Sequence, residues 1–167
     1  MLDAAYHPLG MAHAAAGVAA LASGAIIFAR HKGTALHVRL GWVYVASMAW
    51  VDGSALFIRR LTGRFNLFHV LAVLSLAMVC GGVAQVVFRR GRRWLWRHYQ
   101  YMCWSYVGLL AATANEACVR VPALRSLTAR SGGWPPLIAS GAIVAASAAV
   151  IALNQRRVLA PFADAAG

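Results

Sequence analysis

Four histidines, His13, His37, His69 and His98, each stand near the start of one of four successive apolar stretches. Imidazole is the commonest metal ligand and an axial ligand of haem iron. Consecutive helices joined by short loops run in opposite directions. Histidines near each helix start therefore alternate between ends, with His13 and His69 at one end and His37 and His98 at the other. In an up-down-up-down bundle, helices 1 and 3 and helices 2 and 4 are the diagonals, so each pair faces across the core. Opposed imidazoles with space between them for a flat macrocycle are what a six-coordinate b-type haem requires. The pattern predicts two bis-histidine haems, one on His13 and His69 and one on His37 and His98. Gly17 and Gly41, one turn after His13 and His37, supply room for such a group, whereas helices 3 and 4 carry Val73 and Met102 there. Trp42, Tyr44, Trp104 and Tyr106 are expected to line the pockets. His7 and His31 fall in the tail and the first loop, where solvent exposure is expected.

Two of the four acidic residues, Asp52 and Glu116, fall inside helices 2 and 4. An ionisable group within a span is a functional candidate because its burial is costly. His98 and Glu116 are five ideal turns apart, roughly 27 Å along one face of helix 4, with Ser105 between them. Glu116 is thus expected at the level of His13 and His69, with Asp52 about 60° round from the His37 face. Glu116, Asp52 and Ser105 are the candidates for catalysis, tuning of the outer site, or proton acceptance at a quinone or reductant pocket. The alternative reading joins His13, His69, Asp52 and Glu116 into a site for zinc, manganese or iron. A structural pairing of Glu116 with Arg120, and of Asp52 with an outer-loop arginine, is the plain alternative.

The elements that must position these groups follow from composition. The 167 residues are 61% hydrophobic and 12% charged, against about 25% charged in soluble domains. Five apolar runs, about residues 9–29, 37–58, 67–88, 95–117 and 135–154, are long enough to cross a bilayer. The fold class is all-α: a single transmembrane domain over 1–167, four core helices with the fifth packed outside. Helix 5 has no ionisable residue in its span, and its Gly, Ala and Ser suit packing or an oligomer or complex interface.

The net charge is +12, but the basic residues lie between apolar segments rather than along one face. This excludes nucleic acid as a partner; the partners expected are the lipid bilayer and a quinone or redox protein. Ten of the 16 Lys and Arg fall on the side holding Arg30, Lys32, Arg39, Arg89, Arg90, Arg92, Arg93, Arg97, Arg156 and Arg157. That excess predicts an inner-membrane protein with the N-terminus outside and the C-terminus cytoplasmic. Arg59, Arg60 and Arg64 oppose the trend. Arg39 and Arg97 inside, and Arg60, Arg64 and Arg120 outside, are placed to meet haem propionates. No basic region precedes the first segment, which reads as a retained helix. Cys80, Cys103 and Cys118 have no metal-like spacing, and no C-x-x-C-H motif is present, so any haem is held by ligation and packing.

After His37 come Trp42, Tyr44 and Val45; after His98, one residue later, come Trp104, Tyr106 and Val107. This W-x-Y-V echo suggests a duplicated hairpin with a two-fold axis along the membrane normal. The run from "LHVRLGWVYVASMAW" through "SALFIRRLTGRFNLFHVLAVLSLAMVCGG" to "WLWRHYQYMCWSYVGLLAATANEACVRVP" resembles a group of small bacterial multi-pass membrane proteins catalogued as a domain of unknown function. The resemblance covers about residues 10–122. It implies membrane topology and a site on His13, His37, Ser54, His69, His98, Met102, Ser105, Tyr106, Glu116 and Arg120, with Asp52 where that pattern has asparagine. In architecture the chain is also similar to transmembrane two-haem b-type cytochromes. The function expected is electron transfer across the membrane. The alternatives are a metal-dependent membrane enzyme or metal-handling protein, and a non-catalytic subunit or assembly factor.

Overall fold

The computed structural model describes residues 8–57, 67–89, 91 and 93–160, with the side chains of 67 and 68 excepted. His7, Arg59, Arg60, Arg64, Arg90 and Arg92 lie outside the described residues. Six helices follow in order: α1 (Pro8–Ala29), α2 (Ala35–Phe57), α3 (Leu67–Phe88), α4 (Trp94–Arg120), α5 (Pro122–Arg130) and α6 (Trp134–Leu159). No strand occurs among the described residues.

The expected apolar runs become α1, α2, α3, α4 and α6. The sixth helix, α5, occupies a stretch expected to be a loop. It is nine residues long, has no buried residue and begins with Pro122, whose fixed φ and missing N–H suit a first helical position. Gly132 and Gly133 take φ of 69° and 88°, a left-handed turn that reverses the chain into α6. α1, the part of α3 from His69 to Phe88, and α6 are long and apolar enough to cross a membrane. α2 and α4, at 23 and 27 residues, match them in length but carry the polar residues of the site.

Local chemistry sets the turn between α1 and α2. Lys32 Nζ donates to the carbonyls of Phe28 and Arg30, each at 2.8 Å, closing the end of α1. Gly33 follows with φ 78°. Thr34 then caps α2, its Oγ1 accepting the His37 backbone N–H at 3.2 Å.

α1 packs on α2, α2 on α3 and α3 on α4, with a lighter contact between α1 and α4 closing the ring. The diagonals are therefore α1/α3 and α2/α4, as expected for an up-down bundle. α6 lies outside this ring against α4. The core takes residues from all four helices: Ala20, Tyr44, Met48, Val79 and Leu109. A second cluster, Cys103, Val107 and Ile151, joins α4 to α6.

Large apolar side chains such as Trp50, Val73, Leu74, Ile138 and Leu153 face outward, an arrangement that suits lipid rather than water. Lipid tails give helices no hydrophobic reason to associate, so close approach at small residues holds such bundles together. Gly24 accepts the ring of Tyr106 in the space a Cβ would fill, and Gly82 does the same for the Met102 side chain. Phe28 stacks on Tyr106 with ring centroids 5.0 Å apart, and the Tyr106 hydroxyl donates to Leu21 O at 3.1 Å.

Candidate functional site

Along α2, His37, Gly41, Tyr44, Met48 and Asp52 recur every three or four residues, and along α4 His98, Met102, Ser105 and Leu109 do the same. That spacing keeps each set on one helix face. Tyr44 and Ser105 meet in a hydrogen bond of 2.9 Å, and Met48 and Leu109 belong to the same core cluster. His37 and His98 stand within electrostatic range of one another and line the same cavity. The two diagonals thus pair residue for residue at a constant offset. The W-x-Y-V echo is not that pairing. It needs one extra residue, which turns the helix by about 100°. Trp104 accordingly packs against the cluster facing α6, while Trp42 lies largely exposed at the cavity wall.

The His37 end holds two adjoining cavities. One, of about 160 Å³, is walled mainly by α2 and α3 and includes Gly41, Trp42, Val83 and Val87. The other, of about 400 Å³, reaches past Phe28, Lys32, Arg89, Trp94 and Tyr99 to Val158 and Leu159 of α6. His37, His98 and Met102 belong to both. Together they fall in the size range of pockets for cofactor-sized molecules, about 300–1,000 Å³. A Cβ on Gly41 would meet nothing within 4 Å, so this glycine is not explained by helix packing and its vacancy belongs to the cavity.

A hydrogen bond fixes the tautomer of His98. His98 Nδ1 lies 2.8 Å from the carbonyl oxygen of Gly82. A carbonyl only accepts, so Nδ1 carries the proton and Nε2 of the neutral ring keeps its lone pair. At the other end His13 Nδ1 lies 2.8 Å from Ser54 Oγ. Ser54 Oγ also lies 3.1 Å from Val51 O, so its hydroxyl can serve either the carbonyl or the imidazole. Histidines that bind metals are held in this way by a backbone carbonyl or other oxygen on the second nitrogen. His37 Nδ1 is buried without a hydrogen-bond partner.

The His13 end is more closed. His69 is 4% exposed and Asp52 5%. The Ser75 hydroxyl faces the Asp52 carboxyl, yet neither Asp52 Oδ2 nor Ser75 Oγ has a partner at normal hydrogen-bond length. Glu116 pairs instead with Arg120 one turn on, both about half exposed, and the two opposite charges stand within electrostatic range of His13. Among the described residues no three His, Cys, Asp or Glu side chains stand close enough to share a metal ion. The expected set of His13, His69, Asp52 and Glu116 is therefore not gathered into a coordination sphere. His13 turns one nitrogen to Ser54, and Glu116 is held by Arg120 at the rim.

Other sites differ from expectation for geometric reasons. Tyr44 and Ser105 lie in the mid-bundle layer, 2% and 1% exposed, and Tyr106 packs on Gly24 rather than on either cavity. Gly17 faces open space. Arg39 and Arg97 are exposed and absent from both cavity walls, because offsets of two residues and one residue from a histidine turn them about 200° and 100° away. Lys32 and Arg89, from the two loops, line the larger cavity instead. Burial holds the Lys32 ammonium below its ordinary pKa.

No curated protein and no solved structure is significantly similar to the chain. Residues 10–153 match the family described as "Predicted membrane protein (DUF2306)", and with that span covering most of its length the chain belongs to this membrane-protein family.

Proposed function

We propose that the protein is a haem-binding electron carrier of the bacterial inner membrane. It crosses the bilayer five times, on α1, α2, α3, α4 and α6, with the N-terminus outside. The single observation that carries the reading is the His37 and His98 pair. The two imidazoles lie on diagonal helices, border one apolar cavity and have a ring nitrogen available, with His98 locked by Gly82 O so that the available nitrogen is Nε2. A bound haem supplies one-electron chemistry through its iron. The chain's own contribution is to fix the ligand nitrogens, surround them with Val, Ile and Met, and exclude water. The second haem of this reading belongs to His13 and His69, on the other diagonal, α1 and α3.

A visible spectrum of the detergent-purified protein, before and after dithionite, tests this. Sharp α-bands on reduction are expected. His37→Ala or His98→Ala should remove about half of the haem, and His13→Ala or His69→Ala the other half. A colourless protein reconstituted with haem to no effect would refute the proposal and turn the histidines into packing groups.

A further inference from the structure

Lys32 and Arg89 share the larger cavity with His37 and His98. The cavity is thus lined by two imidazoles, by apolar side chains, and by two cations from the α1–α2 turn and the end of α3. That combination matches a flat, metal-bearing ligand with acidic groups on one edge. Building on the haem reading, we infer that Lys32 and Arg89 form a carboxylate-binding mouth that takes the acidic edge of the macrocycle and fixes its orientation.

Two features of the cations support this. Lys32 Nζ has three donors and spends two on Phe28 O and Arg30 O. The ammonium is held rigidly at the rim with one donor free. Its burial depresses its pKa, a penalty that an adjacent anion relieves.

Arg89 is the described non-glycine residue with left-handed φ, at 44°. Its N–H donates to Gln85 O at 3.0 Å, the single-bond left-handed cap that glycine usually supplies at a helix end. An arginine placed where glycine is cheaper needs a use for its side chain. The guanidinium lies over the Trp94 ring, 5.5 Å from its centroid, at the mouth of the same cavity. Its planar fork suits a carboxylate.

The test compares haem with its dimethyl ester, in which both carboxylates are blocked, titrated into apoprotein in discs of zwitterionic lipid. Such discs lack the anionic headgroups that would compete for the same cations. The native protein should bind the free acid about tenfold or more tightly than the ester. A Lys32→Met/Arg89→Met variant should show nearly equal affinities with unchanged α-bands, and Lys32→Arg should keep the preference. Equal affinity in the native protein, or preference retained in the double variant, would overturn the inference while leaving histidine ligation intact. Absence of any spectral change with either form would overturn both readings. If the double variant fails to fold, the single variants Lys32→Met and Arg89→Gly carry the comparison, each expected to lose part of the preference.

Discussion

The Tyr44 and Ser105 hydroxyls share a hydrogen bond of 2.9 Å, and Ser105 Oγ also lies 2.9 Å from Met102 O. This short relay joins the two diagonal helices two turns from His37 and His98. It sets the depth at which the histidine-bearing ends face each other.

Removing either partner should weaken the bundle modestly. Side-chain hydrogen bonds between membrane helices are worth about 0.6 kcal/mol on average. Tyr44→Phe, Ser105→Ala and the double variant, unfolded in mixed detergent, should give a coupling energy on that order. A coupling of zero would show that the contact adds nothing to helix association.

The glycines of α1 and α2 should behave oppositely. Gly24→Ala drives a methyl into Tyr106, a ring already held by Leu21 O and Phe28, and should cost about 1–3 kcal/mol. At Gly41 an added Cβ meets no neighbour within 4 Å, and the glycine lines the smaller cavity, so Gly41→Leu places its side chain there. Its thermal midpoint should match the native protein, whereas its haem content should fall sharply. A normal haem content in Gly41→Leu would place the macrocycle elsewhere.

The two carboxylates should separate by burial. Asp52 is 5% exposed, and a carboxylate inside a bundle is expensive. Asp52→Asn keeps the shape and the Ser75 neighbour, so unfolding midpoints should rise by about 1 kcal/mol equivalent. Glu116→Gln breaks only a half-exposed pair with Arg120 and should shift stability by less than about 0.5 kcal/mol. Destabilisation by Asp52→Asn would reveal a partner that needs the charge.

The pH dependence follows from Lys32. Charged lysine attracts a carboxylate and neutral lysine does not. With its pKa lowered by burial, Lys32 should lend the preference for the acid form of haem while it is charged, and the preference should decline as pH rises through that lowered pKa. The other titratable or charged groups around the cavity, His37, His98, Tyr99, Cys103 and Arg89, are common to native protein and Lys32→Met. The difference between their titration curves isolates Lys32. Identical curves would remove it from the mouth.

Helix positions were legible in the sequence because apolar length alone marks them, and α3 begins and ends where the run from 67 to 88 does. The pairing of His37 with His98 was legible too, since antiparallel order requires it. Direction around each helix was harder to read. One residue of misregister turned Trp104 and Tyr106 away from the cavities, and closeness in sequence made Arg39 and Arg97 look like neighbours of the site. Lys32 and Arg89 reach it from loops, where no periodicity indicates direction. α5 escaped notice because nine residues give too few turns for a pattern to stand out. The Gly82 oxygen that sets the His98 tautomer and the Ser54 hydroxyl beside His13 come from neighbouring helices and leave no mark beside the histidines.

Val158 and Leu159 wall the larger cavity, and they belong to the final turn of α6. The four-helix ring by itself therefore leaves the cavity open on one flank, and the end of α6 closes it. Shortening α6 by its final turn would open that flank to solvent or lipid beside His98.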